Sequence, residues 1–283
     1  MKRFDICLAL LVAFFWGSNF TAVKLSILEI PGLLALSLRF LLTAVILLPF
    51  ITRPKISFAK LYLASLVFGI FYIGLLYYGM HLGLNTSLTI ILIQLNIPFS
   101  IIIARIFLKE ALTLKTIIGV TIAFLGMAVV AGTPNLIGNN VAVFILLLSA
   151  FFYAIFNIQS RKLKEIPPSS LLCWTSLISM PHLFMISYFI DGNPIYLIQN
   201  LSHVGWASII YSAAISGALG ITLWIYLLQK HPISQVMPFN LLVPFFGISI
   251  SILLLDEIPS WHVIVGGLIT LGGIAVTQVK RLQ

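Results

Sequence analysis

Charge is scarce in this sequence. Only 8% of its 283 residues are Asp, Glu, Lys or Arg, against about 25% in an ordinary soluble domain. The acidic residues number seven and the cysteines two. So little charge cannot cover a water-facing surface, which excludes a soluble globular protein and makes lipid the dominant solvent. No long connection is left between apolar runs, and that excludes an appended nucleotide-binding cassette, a kinase-type module or any soluble enzyme of normal size. Cys7 and Cys173 lie inside apolar runs without CxxC spacing; both read as small core residues rather than a disulfide framework or reactive thiols. His81, His182, His203, His231 and His262 are isolated and form no HExxH, so no metal site is expected. GxSxG and the P-loop spacing are absent too, leaving no case for covalent or hydrolytic chemistry and no expected cofactor.

Apolar residues fill the space: they make up 60% of the chain. Ten apolar segments can be marked, at 5–25, 32–51, 59–80, 84–105, 114–132, 140–160, 169–190, 205–228, 233–255 and 261–279. Each approaches the roughly 20 residues that a membrane-spanning helix needs. Breakers separate them, among them Pro31-Gly32, Arg53-Pro54-Lys55, Gly132-Thr133-Pro134, Pro167-Pro168, Asp191-Gly192-Asn193-Pro194 and His231-Pro232. Hydrocarbon satisfies no free amide, so only helices or a closed barrel span it. These segments are too long for strands and do not alternate. The sequence therefore predicts an all-α integral membrane protein with ten transmembrane helices. Met1-Lys2-Arg3 followed by an apolar run has the look of a signal peptide, but the run continues through Trp16, Gly17 and Phe20 without an A-x-A site, so it reads as a retained first span.

The formal net charge is +9. Its basic residues are scattered between apolar runs rather than gathered on one solvated face, which argues against a nucleic-acid partner. They report topology instead. With the N-terminus in the cytoplasm, Lys2, Arg3, Arg53, Lys55, Lys60, Arg105, Lys109, Lys115, Arg161, Lys162, Lys164, Lys230, Lys280 and Arg281 all fall inside; only Lys24 and Arg39 lie within spans. The positive-inside rule then puts both termini in the cytoplasm.

The chain also reads as two copies, 1–136 and 137–283. AFFWGSNFTAVKL in the first span echoes AFFYAIFNIQSRKL in the sixth, while Pro98, Glu110, Gly119 and Gly126 match Pro244, Glu257, Gly266 and Gly273. Five spans per copy is an odd number, so the copies enter the membrane from opposite sides. Inverted repeats of this kind mark secondary transporters, whose substrate site lies between the copies near the midplane.

WGSNFTAVK at 16–24, LRFLLTA at 38–44 and the stretch from Pro98 through KEALTLKTIIG, with its echo in the second half, resemble EamA-type members of the drug/metabolite transporter superfamily. The resemblance covers nearly the whole chain. TRPKISF at 52–58, IILIQLNIPF at 90–99 and MPFNLLVPFFGISISILLLDE at 237–257 look closest to the bacterial O-acetylserine/cysteine exporters of that family. What the resemblance implies is a ten-helix inner-membrane carrier with a central cavity, exporting amino acids or related metabolites. Those exporters carry a second Gln two residues after the first in the fourth span; Asn96 stands there in this chain, which leaves the substrate open.

Polar side chains in hydrocarbon are costly and usually face a bundle interior or cavity. Arg39 lies eight residues past Pro31, about 12 Å along a helix, and no Asp or Glu falls mid-span. A substrate carboxylate would serve as its partner; backbone carbonyls, or a snorkelling stem, are the alternative. Lys24 reads as a snorkelling residue. Trp16, Asn19 and Phe20 share the first span; Gln94 and Asn96 precede Pro98, and Asn240 precedes Pro244. The sixth span adds Asn157 and the eighth Trp224. Amides donate and accept, which suits a zwitterion, although ordinary interhelical hydrogen bonding would use the same residues. Pro98 and Pro244 are candidate hinges. Gly119, Gly126, Gly266 and Gly273 read as a packing seam, and Tyr77, Tyr78 and Trp261 as interfacial anchors. The expected function is alternating-access export of a small polar metabolite across the inner membrane, by a monomer or weak homodimer. The rival readings are an intramembrane enzyme and a transport-inactive receptor or scaffold.

Overall fold

The structure is a computed structural model, and it describes all residues except 52, 53, 55, 109–113, 132–138, 232–235, 257 and 279–283. Among the described residues the chain is all helix, without a strand. The helices are α1 (Arg3–Ile27), α2 (Gly32–Leu47), α3 (Phe58–His81), α4 (Thr86–Ile93), α5 (Asn96–Leu108), α6 (Leu114–Ala131), α7 (Asn140–Lys162), α8 (Pro168–Asp191), α9 (Pro194–Gln199), α10 (His203–Lys230), α11 (Val243–Leu255) and α12 (Trp261–Gln278). Six stretches are long and apolar enough to cross a bilayer: Arg3–Ile27, Gly32–Phe50, Phe58–His81, Asn140–Lys162, Pro168–Asp191 and His203–Lys230. Thr86–Ser100, Ile117–Val130, Phe239–Leu255 and Trp261–Gly273 are shorter apolar helices.

Turn chemistry sets several boundaries. The Asn85 side chain accepts a hydrogen bond from the Leu88 amide at 2.9 Å to start α4, and Ser202 accepts from the Val204 and Gly205 amides at 3.1 Å to start α10. Both side chains satisfy amides that the first turn leaves orphaned. Pro168 occupies the first position of α8, where its missing N–H costs nothing. Pro181 lies inside α8 without ending it.

Two departures from regular helix matter most. Leu66–Gly74 in α3 and Ser212–Ile221 in α10 are π-helical. Wider turns misalign carbonyls with the helical ladder, and side chains of neighbouring helices take hydrogen bonds to them. Ser179 Oγ donates to the Ser65 carbonyl at 2.9 Å and Ser149 Oγ to the Tyr72 carbonyl at 2.7 Å. At the other segment, Thr43 Oγ1 donates to the Ala213 carbonyl at 3.1 Å and Trp16 Nε1 to the Ser216 carbonyl at 3.4 Å. π-helical turns recur at functional sites, and both segments face the centre of the bundle.

Helix α1 packs on α11, α2 on α8 and α6 on α12. The last pair is the tightest. A Cβ added to Gly126 would lie 2.5 Å from the Thr270 amide nitrogen and 2.7 Å from the Gly266 carbonyl, and one at Gly273 would lie 2.5 Å from the Ala123 nitrogen. These glycines form the packing seam that their spacing suggests. The outer faces are greasy: Leu125 is 60% exposed, Phe189 75% and Leu253 76%. An apolar belt of this kind fits a hydrocarbon solvent and would aggregate in water.

The structure corrects three expectations. Cys7 is exposed in the first turns of α1, where Ile6, Leu10 and Leu11 are exposed beside it, so of the two only Cys173 is buried. Tyr77 is no interfacial anchor: it is 1% exposed and points inward. The segment predicted at 84–105 is not one helix, since it breaks between α4 and α5 at Gln94-Leu95.

Candidate functional site

A small void sits where α1, α2, α3, α7 and α10 meet the break between α4 and α5. Its volume is about 50 Å³, enough for a few waters and less than the roughly 150 Å³ that accepts benzene. Access for an organic ligand therefore requires the helices to part. Helix α1 supplies Trp16, Asn19 and Phe20 to its lining; α2 supplies Arg39. Helix α3 contributes Phe68 and Tyr72, α7 Tyr153 and Phe156, and α10 Ser216. Gln94 and Asn240 come from two irregular segments, the break between α4 and α5 and the stretch before α11, and line the void side by side.

Arg39 is the charge in this lining. It is 4% exposed. Its Nη1 donates to the Tyr77 hydroxyl at 3.0 Å and its Nη2 to Ser216 Oγ at 3.4 Å, while Nε has no partner. The guanidinium carbon lies 5.8 Å from the Tyr77 ring centroid. Among the described residues, the ion pairs join Asp5 to Lys230 and His231, far along α10 from Ser216. Arg39 is thus a buried cation held by two neutral hydroxyls and no carboxylate. A buried charge normally recruits a counter-charge, and the void beside it is where one can bind.

The amide wall is ordered by its own bonds. Gln94 Nε2 donates to the Asn240 carbonyl at 2.7 Å, and Asn240 Nδ2 reaches the Tyr153 hydroxyl at 3.4 Å. Asn19 Oδ1 is buried without a partner. Tyr153 stacks on Tyr72 with centroids 4.2 Å apart and planes 2° from parallel, and Trp16 meets Tyr153 edge-on at 6.3 Å. The site therefore offers one cation, several amide dipoles and flat aromatic faces. These match a carboxylate, a polar backbone and an ammonium or apolar side group.

Of the residues singled out from sequence, Trp16, Asn19, Phe20, Arg39, Gln94 and Asn240 meet around the void. Asn96, Asn157 and Trp224 do not. Asn96 follows Gln94 by two residues, so it turns away and donates from Nδ2 to the Ile93 carbonyl at 2.7 Å. Asn157 lies a turn beyond Tyr153 and accepts a hydrogen bond from Trp224 Nε1 at 3.2 Å. Trp224 touches the site only through Trp16, their rings 5.0 Å apart. Pro98 and Pro244 fall in the first turns of α5 and α11, where proline is tolerated, so they begin helices rather than bend them. The Ile97 amide takes the Gln94 carbonyl at 3.0 Å. Lys24 Nζ reaches the Leu84 carbonyl at 3.4 Å near the end of α1.

Sequence reasoning missed Tyr72, Tyr153 and Ser216. Tyr153 was within reach, because AFFY repeats AFFW and aligns it with Trp16. Tyr72 and Ser216 carry no such signal; the π-helical turns bring them inward. His182 is engaged elsewhere, with Nδ1 2.7 Å from the Ile178 carbonyl and Nε2 3.0 Å from the Tyr62 hydroxyl. Among the described residues no three His, Cys, Asp or Glu side chains gather as a metal site would need.

Comparison with known proteins points the same way. A protein of Escherichia coli (strain K12) described as a "Probable amino-acid metabolite efflux pump" is 29% identical over 91% of this chain and 89% of its own length. A Salmonella typhimurium protein of the same description is 28% identical over 98% of this chain and 95% of its own. An "Uncharacterized transporter" of Archaeoglobus fulgidus is 27% identical over 99% and 100%. One crystal structure superposes with a TM-score of 0.72 over 98% of this chain and 96% of that one; at 11% identity it speaks for the fold alone. The model of the EamA-like transporter family matches residues 3–132 and again 140–278. With both matches together spanning nearly all of the sequence, the chain belongs to the EamA-like transporter family.

Proposed function

We propose that this protein is a secondary carrier of the inner membrane that exports amino acids or their derivatives by alternating access. In this reading the six long and four shorter apolar stretches make ten spans, both termini are cytoplasmic, and units 1–136 and 137–283 are inverted relative to each other. The twofold family match supports the two units. So does the pairing of like with like: each unit has a π-helical third span, and each π-helical region accepts hydrogen bonds from side chains of the other unit, Ser179 and Ser149 on one and Thr43 and Trp16 on the other.

The observation that carries the proposal is Arg39, a buried cation without a carboxylate, opening on a void lined by amides and aromatic rings. A substrate carboxylate binds the guanidinium through charge-assisted, bidentate hydrogen bonds. Gln94, Asn240 and Asn19 orient the rest, and the tyrosine and tryptophan faces take the ammonium or side group. The void is lined by one chain, which supports a carrier that works as a monomer, with a weak homodimer as the alternative. Of the two histidines that could couple protons, His81 is exposed in the last turn of α3 and His182 is bonded to Ile178 and Tyr62, neither lining the void; with mid-span carboxylates missing as well, this favours transport driven by the substrate gradient over proton antiport. The names of the Escherichia coli and Salmonella relatives support the substrate class.

Proteoliposomes containing the protein and loaded with unlabelled cysteine or another amino acid test this. Counterflow should accumulate the radiolabelled amino acid, at the same rate with and without a pH gradient. No counterflow with any of the twenty amino acids or O-acetylserine refutes the substrate class; a rate set by the gradient refutes uncoupled transport.

A further inference from the structure

A second concavity lies at the other end of the α7–α10 seam, away from the void. Arg161 and Lys162 end α7, Lys164 follows in the turn, and Lys230 and His231 end α10; all five border a hollow of about 370 Å³. That size falls in the range of roughly 300–1,000 Å³ typical of small-molecule sites. Ile158 gives it an apolar floor, and Gln229 forms part of its wall. Gln229 also braces the scaffold: its Nε2 donates to the Leu163 carbonyl at 3.3 Å and to the Ile166 carbonyl at 3.0 Å. The turn that carries Lys164 is thereby pinned to α10.

Asp5 of α1 stands behind this wall rather than in it. Its Oδ1 accepts from Lys230 Nζ at 3.0 Å, and its Oδ2 lies 3.0 Å from His231 Nε2. Glu165 follows Lys164 but does not line the hollow. Among the described residues the Asp5 carboxylate offsets Lys230 and His231, and Arg161 and Lys164, which border the same hollow, keep it positive. Membrane topology explains why basic residues occur on this side, and the C-terminal dipole of α7 favours two of them. Neither explains why residues from two helices and a braced turn converge on one hollow.

The ligand must bring several acceptor oxygens and net negative charge. Phosphate does: Arg holds it in bidentate fashion and lysines as point charges. On the proposed topology the hollow also lies at headgroup level, where basic pockets between helices hold acidic lipids. We propose that this hollow binds a phosphate-bearing anion, either the headgroup phosphate of an acidic membrane lipid or free phosphate.

Thermal unfolding of the full-length protein in a non-ionic detergent distinguishes the sources. Short-chain phosphatidylglycerol, inorganic phosphate and sodium chloride at matched ionic strength are titrated separately. The expected result is a saturable rise in Tm with one or both phosphate ligands and none with chloride. A response to phosphatidylglycerol alone identifies the lipid; a response to inorganic phosphate alone identifies the free anion. In the double variant Arg161→Ala, Lys164→Ala the apparent Kd should weaken about tenfold or more, because each lost charge-assisted contact approaches a decade in affinity. Lys60→Gln, which removes an exposed positive charge from α3, should leave it unchanged. Lys164→Gln alone, at an exposed position, gives a smaller shift in the same direction and keeps the test readable should the double variant fold poorly. The absence of any saturable response to either phosphate ligand overturns the proposal, as does a response that the Arg161 and Lys164 substitutions leave intact.

Discussion

Replacing Arg39 by Met should make the protein more stable and useless as a carrier. Met matches the unbranched stem of Arg but brings no charge. In the native structure the guanidinium makes one good hydrogen bond, to Tyr77 at 3.0 Å, and one long one, to Ser216 at 3.4 Å; its Nε makes none. Hydrogen bonds to a charged group return about 1.5–3 kcal/mol each, the longer one less. Against that stands a desolvation cost of several kcal/mol for a buried ion. With no carboxylate to offset it, apolar replacement should be neutral or stabilising by about 1–4 kcal/mol, a Tm increase of a few degrees or more. Transport should respond in the opposite sense. Leaving a bound carboxylate without its buried cationic partner costs about 2–5 kcal/mol, or roughly 30- to 4,000-fold in apparent affinity. Arg39→Lys keeps the charge but loses the planar fork and should fall between. Unfolding followed by intrinsic tryptophan fluorescence, together with counterflow in proteoliposomes, gives both numbers on the same preparation. A lower Tm with counterflow intact would show that Arg39 is a structural cross-brace and would sink the reasoning.

Gly126→Val puts a side chain against the backbone of Thr270 and Gly266, so α6 and α12 must separate; overpacking costs about 1–3 kcal/mol where flexible side chains can yield, and thermal unfolding should show at least that loss. An unchanged Tm would contradict the close contact. Gln94→Leu leaves the Asn240 carbonyl without its 2.7 Å donor, at a cost of about 1–3 kcal/mol, and should weaken substrate affinity in counterflow as well. Trp224→Phe removes the donor to Asn157 and should lower Tm by a comparable amount while leaving the counterflow KM unchanged; Tyr153→Ala, in the lining itself, should change KM. Equal effects of these last two on KM would put Trp224 in the site after all.

Much of this architecture was readable because lipid simplifies the rules. Long apolar runs such as 140–160 and 169–190 have no alternative to helix, and α7 and α8 follow them closely. Arg39 could be assigned inward because a guanidinium does not face acyl chains. The site was legible wherever a polar residue was too costly to face lipid and its helix was regular, as with Asn19 and Arg39. It was illegible wherever the backbone left the regular helix. Asn96 was grouped with Gln94 by proximity in sequence, but the break at Gln94-Leu95 and the α5 start that follows send the two apart. Tyr77 reads as an anchor near a helix end; the π-helical turns before it rotate the remainder of α3, and its hydroxyl arrives at Arg39 instead. Ser216 is one small hydroxyl among many, and only the matching π segment of α10 sets it opposite the guanidinium.

Those widened turns bear on how a carrier can idle between its two faces. Each of the two is clasped from outside its own helix by a hydroxyl, Thr43 on one and Ser179 on the other, at nearly equal lengths of 3.1 and 2.9 Å. In the proposed alternating-access cycle a clasp on only one flank, worth about 0.5–1.5 kcal/mol, would bias the two states several-fold, against the about 5.5 kcal/mol that turns 1:99 into 99:1. In that cycle twin clasps of similar length leave neither state favoured by this pair of bonds, so a modest ligand would tip the balance. Removing one of them, and leaving its twin, would bias which way the mouth faces at rest.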